Sequence, residues 1–300
     1  MPMTQPIPPR IPLDWPNRRH SRNVVVGTLD WHVQVAGAGP VVLLLHGSGA
    51  SAHSWAEVFT ALTGAATVVA PDLPGHGFTR GARLTELTLP RIAADLAALL
   101  VALGLDAPAL AVGHSSGAAL TLRMALASQH APRRVLGFNP SLVAPPDIYT
   151  RVFGPLITPL ATSSPVSALL AMMANRSGMI NGLLDSTGSN LNREQRARYA
   201  TLFADAEHVR GALGFMAAAD LPALLNDARR KAVLCSFVIG AQDAWIPGQP
   251  LRDVIARHLP SAAIDTWDGG HLLHEIEPQR AAGLVMDMLN NDRPDGSTQK

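Results

Sequence analysis

The feature that most constrains this chain is the alternation of short apolar runs, many ending in glycine motifs, with Ala/Leu-rich helical stretches. Val41–Leu45 is an unbroken apolar run, and 66–70, 109–112, 135–138, 234–239 and Ala263–Trp267 read as further strands. Helical patterns fall between them at 55–62, 89–103, 117–128, 251–258 and 277–290. Strands that read as continuous apolar runs are covered on both faces, and strict strand–helix alternation builds a mostly parallel sheet flanked by helices. Residues 23–26 and 29–35, separated by Gly27-Thr28, predict an antiparallel hairpin at the sheet edge. The alternation breaks between about 145 and 225. There, helical pieces are punctuated by Pro155, Pro159, Pro165, Gly178, Gly182 and Gly188, and Met172, Met173, Met179 and Met216 recur. This predicts a core over 1–144 and 226–291, an inserted helical lid over 145–225 and a polar tail over 292–300. Flexible thioethers suit ordinary core filling and also a lid that closes on a bulky apolar ligand.

Composition narrows the classes of partner. The net charge of the 300-residue chain is +1, so no electrostatic case exists for nucleic acid. The one tight basic cluster, Arg229-Arg230-Lys231, reads as a solvated helix end. The single cysteine, Cys235, excludes an intrachain disulfide and reads as a small buried strand residue in a reducing compartment. Residues 1–22 lack the apolar stretch of a secretory signal, and no run is long and apolar enough to predict a spanning helix. A cytoplasmic location is the expectation. The stretch 92–105 contains Asp95 and predicts an amphipathic or buried helix.

Four glycine-flanked motifs carry chemistry. Gly113-His114-Ser115-Ser116-Gly117 follows a predicted strand and opens a predicted helix, the setting of a nucleophile elbow. Gly113 and Gly117 supply the room that so sharp a turn needs, and His114 supports it. The motif's register favours Ser115 over Ser116 as nucleophile. A serine hydroxyl needs an adjacent base. His46-Gly47-Ser48-Gly49 follows the Val41–Leu45 run. Its Ser48 N–H, with Gly49 as neighbour, pairs with the Ser116 N–H as the candidate oxyanion hole, since donors must already point where negative charge develops. His46 reads as a brace for that loop. Gly240-Ala241-Gln242-Asp243 places a carboxylate after a late strand, able to accept a hydrogen bond from an imidazole N–H and fix its tautomer. Gly269-Gly270-His271 can swing an imidazole back over the elbow. The order Ser115, Asp243, His271 is that of the nucleophile-elbow hydrolases. His274 is the rival base, and Asp268 and Glu275 read as loop-surface groups. No cysteine or carboxylate cluster completes a metal site with His271 and His274, and the predicted chemistry needs no cofactor.

With these motifs in register the chain resembles the α/β-hydrolase superfamily over nearly its whole length, and Asp72-Leu73-Pro74-Gly75-His76-Gly77 matches a turn common after its second core strand. The first third is similar, more narrowly, to the magnesium-chelatase accessory proteins of bacteriochlorophyll-making bacteria. The resemblance lies in Asp14-Trp15-Pro16-Asn17-Arg18, His20-Ser21-Arg22 and Trp31-His32-Val33-Gln34. It extends through His46-Gly47-Ser48-Gly49-Ala50-Ser51-Ala52-His53-Ser54-Trp55 and Ala70-Pro71-Asp72-Leu73-Pro74-Gly75-His76-Gly77-Phe78-Thr79. It implies a role in photosynthetic pigment synthesis at magnesium insertion, with a tetrapyrrole as a further candidate ligand and the chelatase as a candidate partner. The leading expectation is a serine hydrolase acting on a small apolar acyl compound. The rivals are a non-catalytic pigment- or chelatase-binding protein, and perhydrolysis or carbon–carbon cleavage on the same scaffold. Dehalogenation would want a carboxylate where Ser115 stands.

Overall fold

The computed structural model describes residues 11–127, 129–143 and 178–291. The eight strands are β1 (Ser21–Val26), β2 (Leu29–Ala36), β3 (Val41–Leu45), β4 (Thr67–Pro71), β5 (Leu110–His114), β6 (Arg134–Phe138), β7 (Cys235–Gly240) and β8 (Ala263–Trp267). They form one sheet in the order β1-β2-β4-β3-β5-β6-β7-β8. The expected hairpin is the antiparallel edge pair β1–β2, and β2 also runs antiparallel to β4. Every other pairing is parallel. Three helices connect the first six strands: α1 (Ala56–Leu62), α2 (Leu89–Ala102) and α3 (Ser116–Ala125). The segment 145–177 of the expected insertion, with Pro155, Pro159, Pro165, Met172 and Met173, lies outside the described residues, as does the tail 292–300. The described remainder holds α4 (Met179–Asp185), α5 (Arg193–Phe203), α6 (Ala206–Ala218) and α7 (Leu221–Arg230). Helix α7 runs across the boundary expected at 225. The chain closes with α8 (Gly248–His258), α9 (Leu273–Ile276) and α10 (Pro278–Asn290).

Period-two alternation divides the core into two layers, because successive side chains of a strand point to opposite faces. Leu43, Leu45, Val69, Ala111, Phe237 and Ile239 pack on one face with α2, α3, α7 and α8. Val42, Leu44, Val68, Val112, Leu136 and Val238 pack on the other with α1 and α10. Helix α2 shows the matching helical stripe: Leu89, Ile92, Ala93, Leu96, Leu99 and Leu100 are buried, Val101 is exposed, and the Thr88 side chain caps its first turn. Cys235 is buried in β7, where burial pushes its thiol up to about 11. Arg229, Arg230 and Lys231 are exposed at the end of α7. Among the described residues no helix is long and apolar enough to cross a membrane.

Buried polar groups fasten the loops at the carboxyl edge of the sheet. Asp72 is fully buried and accepts from the Ala52 N–H (2.7 Å), the Phe78 N–H (2.8 Å) and His32 Nδ1 (2.8 Å). Burial alone would raise its carboxyl, but the His32 ring and the N–H donors outweigh that and hold it far below the carboxylate range. His46 accepts the Leu73 N–H on Nε2 (2.9 Å), leaving Nδ1 to donate to Gly47 O (2.8 Å), so it braces the β3 loop as expected. His208 of α6 accepts the Gly77 N–H on Nδ1 (3.0 Å) and donates from Nε2 to Gly49 O (3.2 Å), stitching α6 to the loops after β3 and β4.

Of the eight histidines buried among the described residues, six are lowered by burial: His53 to about 3, His208 to about 4, His76, His114 and His274 well below the usual value, and His46 below it. A ring kept neutral when folded stabilises the protein above the unfolded value near 6.5. It loses about 1.4 kcal/mol for each pH unit below that until its folded pKa is reached. All six rings act in this same direction, and the total stability they act on is only about 5–15 kcal/mol. Glu275, pushed up to about 7 by burial, works in the opposite direction, one group against six. The melting temperature is therefore expected to be flat from about pH 7 to 8.5 and to fall as the pH drops below about 6. A melting temperature at pH 5 equal to that at pH 7.5 would contradict this account.

Candidate active site

Strand β5 turns into α3 through Ser115, which holds φ 51° and ψ −118°. A positive φ is costly for a residue with a Cβ, and such strain concentrates at functional sites. The two flanking glycines make the turn fit. A Cβ on Gly113 would lie 2.5 Å from the Ala118 backbone, and one on Gly117 would lie 2.3 Å from Leu45 O. The Ser115 N–H donates to Phe138 O at the end of β6 (3.0 Å), which pins the turn to the neighbouring strand.

The loops after β7 and β8 bring in the other two expected residues. His271 Nδ1 lies 2.8 Å from Asp243 Oδ2, and both side chains are buried. The carboxylate can only accept, so the ring proton sits on Nδ1 and Nε2 keeps its lone pair. Asp243 Oδ1 accepts the Trp245 N–H (2.8 Å) and the Ile246 N–H (2.9 Å), so three donors fix the carboxylate. The Trp245 ring lies 5.2 Å from the His271 ring. The loop carrying His271 is itself tied down. Its N–H donates to Thr187 O (2.9 Å), and its carbonyl accepts from His114 Nε2 (2.9 Å) and Asn139 Nδ2 (2.8 Å).

Ser115 and His271 line the same cavity, of about 520 Å³. Among the described residues no hydrogen bond joins the Ser115 hydroxyl to the imidazole. Such contacts are often loose before substrate binds. Ser48, Ser116, Gly47, Gly49 and His114 also line the cavity, while His46 lies beneath it. The Ser48 N–H, expected to face an oxyanion, donates to Ser116 Oγ (2.8 Å). Helices α4 to α7 add Leu183, Leu184, Tyr199, Phe203, Met216 and Leu225 to the wall. Among the described wall residues there is no Lys, Arg, Asp or Glu.

His274, the rival base, is brought elsewhere. Its Nε2 meets Ser54 Oγ at 2.6 Å, and its ring stacks 4.2 Å from Trp55 and 4.4 Å from His114. Asp268 is exposed, as expected. Glu275, expected on the loop surface, is buried. It accepts from Ser54 Oγ (2.7 Å) and from the Tyr199 hydroxyl of α5 (2.5 Å), two partners remote in sequence that replace water. Sequence reasoning missed Asn139. Its side chain donates to Gly270 O and His271 O and accepts the Gly240 N–H (2.6 Å), joining the ends of β6 and β7 to the histidine loop. An asparagine directly after a parallel strand was the available signal.

Known proteins share this architecture. The profile of the "Alpha/beta hydrolase family" matches residues 42–284. The chain is 36% identical over 288 residues to the "Magnesium-chelatase 30 kDa subunit" of Rhodobacter capsulatus, covering 94% of this chain and 99% of that one. The epoxide hydrolase CorEH superposes with a TM-score of 0.74 at 18% identity, over 91% of this chain and 99% of the other. A thermophilic esterase from Thermogutta terrifontis superposes with a TM-score of 0.67 at 21% identity, over 88% and 94%. These structural likenesses speak to the fold; the profile match and the full-length relative go further, and by them the chain belongs to the alpha/beta hydrolase family.

Proposed function

We propose that the protein is a serine hydrolase acting on an ester or related acyl compound, with Ser115 as nucleophile, His271 as base and Asp243 as the group that orients the base. The observation that carries this reading is the strained Ser115 backbone, which sets the residue in the wall of the one cavity that also receives the Asp243-bound imidazole. In this reading Ser115 Oγ attacks the acyl carbon while His271 Nε2 takes its proton. The protonated ring then gives that proton to the leaving group, and water attacks the acyl-enzyme by the same route. Asp243 stabilises the transient imidazolium. Donors around Ser48 and Ser116 hold the negative oxygen.

The cavity supports a small, apolar, uncharged acyl substrate. Its volume falls within the range of about 300–1,000 Å³ usual for small-molecule sites, and its described wall offers no cation to a substrate carboxylate. The helices from 178 to 230 act as a lid, with 145–225 as the insertion and 1–144 and 226–291 as the core. The relative named a magnesium-chelatase subunit supports contact with a magnesium chelatase; service at that step of pigment synthesis, in the cytoplasm, is part of the same proposal.

A fluorophosphonate probe is expected to label the wild-type protein at Ser115 and to leave Ser115→Ala unlabelled. His271→Ala and Asp243→Asn are expected to slow hydrolysis of a p-nitrophenyl ester by about 10³-fold or more. An intact, folded wild type that takes up no probe would remove the hydrolase reading. Should Ser115→Ala still support pigment synthesis in a strain lacking the wild-type chain, a binding role would replace the catalytic one.

A further inference from the structure

Two hydroxyls in the cavity wall have no part in the proton transfers above. Ser116 Oγ accepts the Ser48 N–H at 2.8 Å, and the Oγ atoms of Ser48 and Ser116 lie 3.0 Å apart. Both residues line the cavity beside Ser115. An N–H already aimed at a protein oxygen is poorly placed to serve a substrate oxygen as well. The backbone donor expected from the β3 loop is thus spent on a side chain.

Counting hydrogens shows what replaces it. Each hydroxyl has one hydrogen and two acceptor positions. The bond between the two Oγ atoms uses one of the two hydroxyl hydrogens, whichever serine donates it. The other hydroxyl hydrogen has no acceptor among the described residues. When Ser48 Oγ donates, Ser116 Oγ accepts two hydrogen bonds and keeps its own hydrogen free. Accepting two bonds polarises a hydroxyl and strengthens it as a donor. Ser116 also opens α3, and the first N–H groups of a helix have no intrahelical acceptor. One residue, next to the strained serine, therefore presents both an N–H and an O–H.

We propose that the Ser116 hydroxyl is a catalytic oxyanion donor, acting with the Ser116 N–H and primed by the N–H and Oγ–H of Ser48. The proposal rests on Ser115 being the nucleophile. As Ser115 Oγ bonds to the acyl carbon, its proton passes to His271 Nε2 and the carbonyl π pair moves onto oxygen. That oxygen accepts from Ser116 N–H and Ser116 Oγ–H. When the intermediate collapses the pair returns to carbon, the bond to the leaving group breaks, and the leaving group takes the proton from His271. Ser48 is a positioning residue: it touches Ser116 and turns the Ser116 hydrogen toward the substrate. The opposite view, a plug that blocks the Ser48 N–H until substrate displaces it, makes the contrary prediction, that removing the hydroxyl speeds the reaction.

The test is steady-state hydrolysis of p-nitrophenyl butyrate by wild type, Ser116→Ala, Ser116→Cys and Ser48→Ala, with fluorophosphonate labelling and melting curves on each. Ser116→Ala is expected to lose about 10–100-fold in kcat with KM within about threefold, and to melt near the wild type. Ser116→Cys, close in size but with a weak S–H donor, is expected to fall in the same way. Ser48→Ala keeps the N–H that primes Ser116 and is expected to lose less, about three- to tenfold. A wild type labelled at Ser115 together with serine-116 variants that are as fast or faster overturns this proposal and leaves the serine-hydrolase reading standing. The same holds for a loss carried by Ser48→Ala but not by Ser116→Ala. A wild type that is not labelled ends both.

Discussion

Everything at the carboxyl edge of the sheet depends on how closely β5, α3 and the β3 loop approach one another. The approach leaves no room for a side chain at Gly113 or Gly117, and it forces Ser115 to φ 51°. A conformation of that kind costs about 1–3 kcal/mol and persists only where its surroundings over-determine it. Here they do so through strand pairing of β5 on both sides, the Ser115 N–H bond to β6, and the Ser141 N–H bond back to Ser115 O. The strain is thus held by the rigid centre of the sheet. Every other group in the cavity is positioned relative to a residue that has almost no freedom of its own.

The centre of the sheet was legible because its strands, such as β3 and β5, are buried on both faces and so appear as continuous apolar runs. Leu43 and Leu44 face opposite layers, yet both must be apolar. The candidate site residues stood out for a related reason: each follows a predicted strand within a glycine-containing turn. What escaped reading is what depends on partners remote in sequence. Glu275 looks like a surface acid until Tyr199 and Ser54, separated from it by 76 and 221 residues, cover it. Asn139 looks like a turn residue until the loops after β7 and β8 fold against it. The use of the Ser48 N–H depended on a rotamer of Ser116, 68 residues away, that no periodicity encodes. The segment from about 145 to 225 was visible only as a loss of alternation, and its described part, 178–225, is helical, with no strand signal to set its register.

Histidine is dense in and behind this cavity, and the neutrality of most of the buried rings bears on His271, the base in the proposed mechanism. His114 lies 4.7 Å from His271 and 4.4 Å from His274, ring centre to ring centre. Were His114 or His274 charged, a proton arriving on His271 would be met by like charge at close range. Burial prevents that by keeping both well below the usual imidazole value. His114 is left to serve as a neutral donor, its Nε2–H holding the carbonyl of His271 and thereby the loop. The acid partner in that proposal is treated in the opposite way. Asp243 collects two backbone N–H donors besides the imidazole, so its position is set whether or not the ring is protonated. With no Lys, Arg, Asp or Glu in the described wall, charge that develops during a reaction meets oriented N–H and O–H dipoles and the His271–Asp243 pair. Dipoles already fixed in place do not have to reorganise as that charge appears, which is where such a site draws most of its effect.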